Sequence, residues 1–204
     1  CSSDLLVEEQ LVRAYGGDAI FQRGFTVRTT LVPRVQREAQ TLLVQRVDSL
    51  ARNGVNTGGA MVTDPRSGAI LALVGSPDFN DEEIDGQVDN TRTYQQPGSA
   101  IKPILYAAAL EGGQFSYQGV SYMTPASILW DVQSRYRDGA DIYEPRNDDG
   151  VFHGPTSLRN SLQRSYNVPA IKTLEIIGFD KFLETANRMN INFLQPNLGL
   201  SSAL

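Results

Sequence analysis

The feature that most constrains the fold is a β-hairpin signal in the first half of the chain. Two apolar, β-rich runs, GAMVTD from Gly59 and AILALVG from Ala69, are separated by the tetrapeptide Pro65-Arg-Ser-Gly68. Proline and glycine at the two ends of such a short segment are typical of a tight turn between antiparallel strands. Because segments with helical spacing lie on both sides of the hairpin, the sequence predicts a mixed α/β (α+β) fold, with an antiparallel sheet and flanking helices.

Helical patterns account for much of the remaining chain. Apolar residues recur every three or four positions, or the composition favours a helix, in four segments: 4–15, 33–53, 97–111 and 156–189, the last with a break at Tyr166-Asn167. A strand is predicted at residues 24–31, where apolar and polar residues alternate. Residues 114–154 are predicted to be turn-rich and irregular.

Composition narrows the classes of function. The 204 residues carry a formal net charge of −5 with scattered basic residues, which argues against a nucleic-acid partner. The single cysteine, Cys1, excludes an intrachain disulfide, and the single histidine, His153, excludes a metal site with several histidines. We interpret His153 as a loop or capping residue. No stretch approaches the roughly 20 apolar residues of a spanning helix, so any membrane anchor is expected outside this chain.

Ser99 and Lys102 are the residues best suited to catalysis. A serine hydroxyl becomes a nucleophile when a neighbouring base takes its proton, and residues three apart in a helix share one face. Ser99 would lie at the helix N-terminus, where free N–H groups favour negative charge on a substrate oxygen. Burial would lower the pKa of Lys102 toward the neutral state that a base needs. Gly98 is expected to let another backbone approach the nucleophile closely.

Four segments together resemble the bifunctional, class A penicillin-binding proteins. Gln96-PGSAIKP, placed after a hairpin and opening an Ala-rich helix, looks like their Ser-x-x-Lys nucleophile motif. The tripeptide Ser-Tyr-Asn at 165–167 fits their second motif, Ser-x-Asn, and Glu144-PRN precedes it as in the family. Phe25-TVRTTLVPRVQ resembles the entry segment in which these proteins have Thr-Thr-Leu-Asp-Pro, although Val32 replaces the aspartate. The resemblance implies the serine transpeptidase fold that these proteins share with β-lactamases.

The resemblance also implies a role for each matched residue. Ser99 would form the acyl-enzyme with the penultimate D-alanine of a peptidoglycan stem peptide, or with a β-lactam, and Lys102 would take its proton. Ser165 would relay a proton toward the leaving group, and the Asn167 amide would bind the substrate's amide and Lys102. The backbone N–H of Ser99 would form half of the oxyanion hole. No cofactor and no metal are implied.

Each of these residues also has a purely structural interpretation. Ser99 and Lys102 would then be an exposed serine and a solvated lysine. Ser165 would cap a helix end, and Asn167 would tolerate a left-handed break in the backbone.

One departure from the family concerns its third motif, Lys-Thr/Ser-Gly on a strand, which does not occur in this sequence. The nearest match, Lys172-Thr173-Leu174, lies within a helical pattern. In the family this motif supplies a cation for the substrate carboxylate and the strand that carries the second oxyanion donor. The resemblance therefore implies an incomplete domain, the N-terminal part of a transpeptidase domain at 55–204 preceded by a linker at 1–54, which would be impaired in acylation on its own.

The leading hypothesis for the function is a peptidoglycan D,D-transpeptidase at the exported face of the bacterial cytoplasmic membrane. Its partners would be stem peptides ending in D-Ala-D-Ala, and β-lactam antibiotics would inhibit it. A D,D-carboxypeptidase or β-lactamase would instead pass the acyl group to water, and the entry segment argues against a β-lactamase. A β-lactam sensor would stay acylated, and a catalytically incomplete fragment would not react. These alternatives stay open at the level of sequence.

Overall fold

The computed structural model describes residues 2–17, 20, 24–138, 141–193 and 199–204, and therefore not Cys1. The chain divides into two units, Cys1–Gln95 and Gln96–Leu204. Each unit combines helices with antiparallel strands, which confirms the predicted mixed fold class. Across the described ranges, no helix has both the length and the apolar character that crossing a bilayer requires.

The first unit is built on the predicted hairpin. Its elements are α1 (Ser2–Tyr15), α2 (Pro33–Leu50), β1 (Ala60–Thr63) and β2 (Ile70–Val74). The two strands pair antiparallel, and Gly68 supplies the positive φ of 72° that their turn requires. A 3-10 turn, Ala51–Asn53, follows α2 and ends at Gly54 in a left-handed conformation, so the predicted Asn-Gly helix end is confirmed.

Residues 24–32 do not form the predicted strand. The segment lies beside β2, where the Val32 N–H donates to the Leu71 carbonyl at 2.8 Å. Two residues further along the same edge of β2, the Gln36 side chain of α2 donates to the Leu73 carbonyl (2.9 Å) and accepts from the Leu73 N–H (2.8 Å). The strand prediction is wrong because a helix side chain pairs with the edge of β2 that a third strand would need.

The second unit is mainly helical. Its helical segments are the 3-10 turn Gly98–Ile101, α3 (Lys102–Glu111), α4 (Leu158–Gln163), α5 (Asn167–Ile177), α6 (Phe179–Arg188) and the 3-10 turn Leu200–Ala203. The core lies between α3, α5 and α6, where Leu105, Ile171 and Phe182 are fully buried. Lys172-Thr173-Leu174 lies inside α5, so the helical placement predicted for this tripeptide is confirmed.

Residues 114–154 contain short strands that the sequence did not predict. They are β3 (Ile128–Asp131), β4 (Tyr136–Asp138) and β5 (Asp141–Tyr143), and β6 (Gly154–Ser157) follows directly. β3 pairs antiparallel with β6, and β4 pairs with β5. Strands of three or four residues are too short to show a periodic pattern, and β3 finds its partner more than 20 residues away. The expectation of an irregular stretch is therefore wrong for these strands.

Candidate functional site

Ser99 and Lys102 lie at the start of α3. Ser99 belongs to the 3-10 turn Gly98–Ile101, and the Lys102 N–H donates to the Ser99 carbonyl across that turn. Because a 3-10 turn has three residues, positions three apart lie one above the other. Ser99 is exposed at the surface, whereas Lys102 is 1% exposed.

Gly98 is needed for its backbone conformation. Its φ of 55° lies in the left-handed region, and a Cβ built on it would meet no atom within 4 Å. Among the described residues no backbone comes that close, so the close approach expected at this glycine stays a prediction. Glycine allows the chain to enter the 3-10 turn at a φ that other residues rarely adopt.

Ser165 ends α4 in a Schellman motif. The Tyr166 N–H donates to the Ser161 carbonyl (3.0 Å), and the Ser165 N–H donates to the Leu162 carbonyl (3.1 Å). The residue at the turn of this motif is usually glycine, because it must be left-handed, and Ser165 has a φ of 57°. The left-handed residue is thus Ser165, whereas Asn167, for which that break was considered, is the first residue of α5.

The Lys102 amine is held by this turn. Its Nζ donates to the Ser165 carbonyl (2.6 Å) and to Asn167 Oδ1 (2.6 Å), and it lies 3.2 Å from Ser165 Oγ. Burial lowers the pKa of Lys102, and the carboxylate of Asp148 opposes this shift. The three oxygens that bind Nζ are all uncharged, so they do not oppose the effect of burial as an ion pair would.

The Asn167 amide is fixed from its nitrogen end. Nδ2 donates to the Arg146 carbonyl (2.9 Å) and to Asp148 Oδ1 (3.1 Å). Both N–H groups therefore have acceptors, and the amide oxygen is left to face Lys102. Arg146 belongs to Glu144-PRN and Asp148 follows it directly, and the asparagine of this motif, Asn147, accepts from the Asn167 N–H at 2.8 Å.

A buried carboxylate accepts a hydrogen bond from the Asn147 side chain and so holds it in place. Asp131 is fully buried in β3, and its Oδ2 accepts from Asn147 Nδ2 (2.8 Å) and from the His153 N–H (3.0 Å). His153 Nδ1 lies 2.7 Å from the same oxygen, and its ring stacks on Tyr166 with centroids 4.1 Å apart. His153 is therefore more than a loop residue, because it joins Asp131 to the turn that carries Ser165.

The structure brings Lys102, Ser165 and Asn167 together through hydrogen bonds, and Ser99 is placed one turn below Lys102. In the described residues no hydrogen bond links the Ser99 hydroxyl to Lys102. Sequence reasoning missed Asp131 entirely. The Glu144-PRN motif was a signal for Asn147, but its partner in β3 has no local pattern that would identify it.

Metal binding finds no support in the side-chain arrangement. Within the ranges that the structure describes, no three His, Cys, Asp or Glu side chains are grouped closely enough to hold a metal ion.

Comparison with protein families gives one match over most of the chain. A model described as the penicillin binding protein transpeptidase domain matches residues 58–202. This range contains every residue of the site described above.

Curated relatives extend the match. Penicillin-binding protein 1C of Escherichia coli (strain K12) is 34% identical over 161 residues, which cover 76% of this chain and 19% of that protein. Penicillin-binding protein 2D of Bacillus subtilis (strain 168) is 31% identical over 185 residues, which cover 88% of this chain and 25% of that protein. The chain thus spans a quarter or less of the length of these two relatives.

Solved structures with the same fold include two that cover nearly the whole chain. The crystal structure of penicillin-binding protein 1A from Haemophilus influenzae has a TM-score of 0.78 at 20% identity, covering 98% of this chain and 43% of that one. The ceftriaxone acyl-enzyme complex of penicillin-binding protein A from Mycobacterium tuberculosis has a TM-score of 0.63 at 21% identity, covering 95% and 52%. At these identities the likeness supports the fold alone.

Proposed function

Because this chain belongs to the penicillin-binding protein transpeptidase family, we propose that it performs the acyl transfer of a peptidoglycan D,D-transpeptidase, with Ser99 as the nucleophile. The observation that carries the proposal is the environment of Lys102. This lysine is 1% exposed, its Nζ donates to three uncharged oxygens, and burial lowers its pKa, which is the direction that a base needs.

In the first half-reaction, Ser99 Oγ attacks the carbonyl carbon of the penultimate D-alanine. The hydroxyl proton passes to Lys102 Nζ, and the substrate carbonyl oxygen becomes an oxyanion. Free N–H groups at the start of a helix favour this charge, and the Ser99 N–H is one donor that it could use. The C–N bond to the terminal D-alanine then breaks, and the leaving amine takes a proton that Ser165 Oγ, 3.2 Å from Nζ, passes on from Lys102.

In the second half-reaction, an amine from a neighbouring stem peptide attacks the acyl-enzyme. Its proton passes to Lys102 by the reverse route. The acyl C–O bond then breaks, Lys102 returns a proton to Ser99 Oγ, and the cross-linked peptide is released. A β-lactam enters by the first half-reaction, but its amine stays attached after the ring C–N bond opens. The acyl-enzyme then persists, and inhibition follows. The substrates place the reaction at the exported face of the cytoplasmic membrane, and residues 55–204 would be the part of the transpeptidase domain that this chain supplies.

The first experiment is covalent labelling with a fluorescent penicillin. The protein is expressed at the full length that its gene encodes, as wild type, Ser99→Ala and Ser134→Ala. Ser134 is a matched control because its hydroxyl bonds the Val132 carbonyl and Tyr136, neither of which belongs to the site. We expect the wild type and Ser134→Ala to be labelled equally and Ser99→Ala to be unlabelled. Persistent labelling of Ser99→Ala would refute the assignment of the nucleophile.

A second experiment distinguishes a transpeptidase from a D,D-carboxypeptidase and from a β-lactam sensor. The protein is incubated with a stem pentapeptide substrate and an amine acceptor, and the products are separated by mass. We expect release of D-alanine together with cross-linked peptide. A product trimmed by water alone would indicate a D,D-carboxypeptidase, and labelling by penicillin without any turnover of peptide would indicate a sensor.

A further inference from the structure

Asp148 is a surface residue that the proposed acyl transfer does not use. It lies in the turn after Glu144-PRN and is exposed. Its carboxylate nevertheless reaches inward, where Oδ1 accepts from Asn167 Nδ2 at 3.1 Å. The matched motifs assign it no role, because it belongs to none of them.

The hydrogen bond from Asn167 determines which way its amide faces. With Nδ2 donating to Asp148 and to the Arg146 carbonyl, a flipped amide would set its oxygen against two other oxygens. It would also turn its NH2 group toward the Lys102 amine, which donates to Oδ1 at 2.6 Å. The amide orientation that Lys102 needs is thus fixed by groups on the far side of Asn167.

The charge on Asp148 also acts on Lys102 itself. Burial lowers the pKa of Lys102, and the Asp148 carboxylate raises it in part. Burial raises the pKa of Tyr106 and lowers that of Lys172, and the charge of the buried Asp131 carboxylate acts to raise the pKa of these two groups instead. The guanidinium groups of two neighbouring arginines, Arg146 and Arg164, are exposed to solvent, which screens them. Among the described residues, Asp148 is therefore the ionisable group with the clearest influence on the Lys102 amine.

We infer that Asp148 is a positioning residue for acylation, which fixes the Asn167 amide from its nitrogen end and places a negative charge across that amide from Lys102. The inference rests on the proposed function, because it assigns Asp148 to the same acyl transfer. It has a consequence for the substrate. A substrate carbonyl that is to accept from Asn167 Nδ2 must take the place of the Asp148 carboxylate, which can swing outward because it is exposed.

The test is the pH profile of acylation by benzylpenicillin in the full-length protein. Asp148→Asn removes the charge but keeps an oxygen that can accept from Asn167 Nδ2. Without the carboxylate the amine loses its proton at lower pH, so the acid limb of the profile moves to lower pH. On that limb, the rate relative to the plateau rises roughly two- to fivefold, the range expected for one charge near the surface. Scaling to the plateau removes any general effect on the binding of an anionic penicillin.

The matched control is Asp149→Asn, which neutralises the next carboxylate in the same turn. Asp149 accepts from the Val151 N–H and pairs with His153 Nε2, and in the part of the chain that the structure describes no hydrogen bond joins it to Asn167. We expect its acid limb to coincide with that of the wild type. An unmoved limb in Asp148→Asn, or an equal shift in both variants, overturns the inference while the acylated wild type still supports the proposed function. A wild type that is not acylated at any pH overturns both.

Discussion

The two ends of α3 carry a basic and an acidic side chain in opposite environments. At the N-terminal end, Lys102 is buried, its Nζ donates to uncharged oxygens, and burial lowers its pKa. At the C-terminal end, Glu111 is exposed and binds Arg188 through both oxygens, at 2.5 and 2.6 Å, and Lys181 at 3.0 Å. These cations lower the pKa of Glu111 to about 2.

The difference separates chemistry from stability within one helix. Folding costs free energy at Lys102 while the amine is protonated, because its pKa is lower in the folded than in the unfolded chain. At Glu111 the folded state is stabilised while the carboxylate is ionised. Its pKa is also lower in the folded chain, but for a carboxyl group the deprotonated form is the charged one. The N-terminal end thus lowers the pKa of the amine to which the proposed function assigns proton transfer, and the C-terminal end helps to hold α3 against α6.

The largest effect is expected from Lys102→Met, which replaces the amine by an apolar chain of similar length. Loss of the base should lower the acylation rate by about 10²- to 10⁴-fold. Glu111→Gln, at the other end of α3, should leave that rate unchanged. Stopped-flow measurement of penicillin acylation compares the two. Equal losses in both variants would mean that the two ends do not have separate roles.

An intermediate effect is expected from Ser165→Gly. Glycine adopts the left-handed conformation of this Schellman turn without the steric cost that serine carries, so the free energy of unfolding should rise by about 0.5–1 kcal/mol. Acylation should become slower, because the hydroxyl near Lys102 is lost. Urea denaturation and penicillin labelling measure the two properties.

Ser165→Ala is the matched control, since it removes the hydroxyl but keeps the strained backbone. It should slow acylation as Ser165→Gly does, without the gain in stability. A glycine variant that is no more stable than the alanine variant would show that the left-handed turn carries no strain worth relieving.

The smallest effect is expected from the pH dependence of stability at Glu111. Its pKa falls from 4.5 in the unfolded chain to about 2 in the folded one. The stabilisation is therefore complete above pH 4.5 and is lost as the pH falls from 4.5 toward 2. The stability difference between wild type and Glu111→Gln, from urea denaturation, should shrink over this window and also with added salt. A difference that stays constant with pH would contradict the ion-pair account.

Much of the fold could be predicted because it depends on local signals. The hairpin follows from Pro65 to Gly68 between two apolar runs, and the end of α2 follows from Asn53-Gly54. The strand at 24–31 could not be corrected from sequence, because the competing partner of β2 is the side chain of Gln36 in α2. That contact depends on how a helix packs, which no local pattern specifies.

The sequence singled out residues that the structure brings together, Lys102, Ser165 and Asn167, but not the groups that support them. The spacing of Ser99 and Lys102 indicated one helical turn, and the resemblance singled out the 165–167 tripeptide. The left-handed residue was placed at Asn167 because asparagine tolerates that conformation better than serine does. Asp131 gave no signal, because a single aspartate in a short strand is indistinguishable from a surface residue until its partners are known.

The assignment of roles within this site has one direct test, which is identification of the residue that a penicillin acylates. The full-length protein is treated with benzylpenicillin, digested, and mapped by tandem mass spectrometry. The account predicts a single adduct, on Ser99, that forms more slowly in Lys102→Met. An adduct on Ser165 or on any other residue, with Ser99 unmodified, would contradict it.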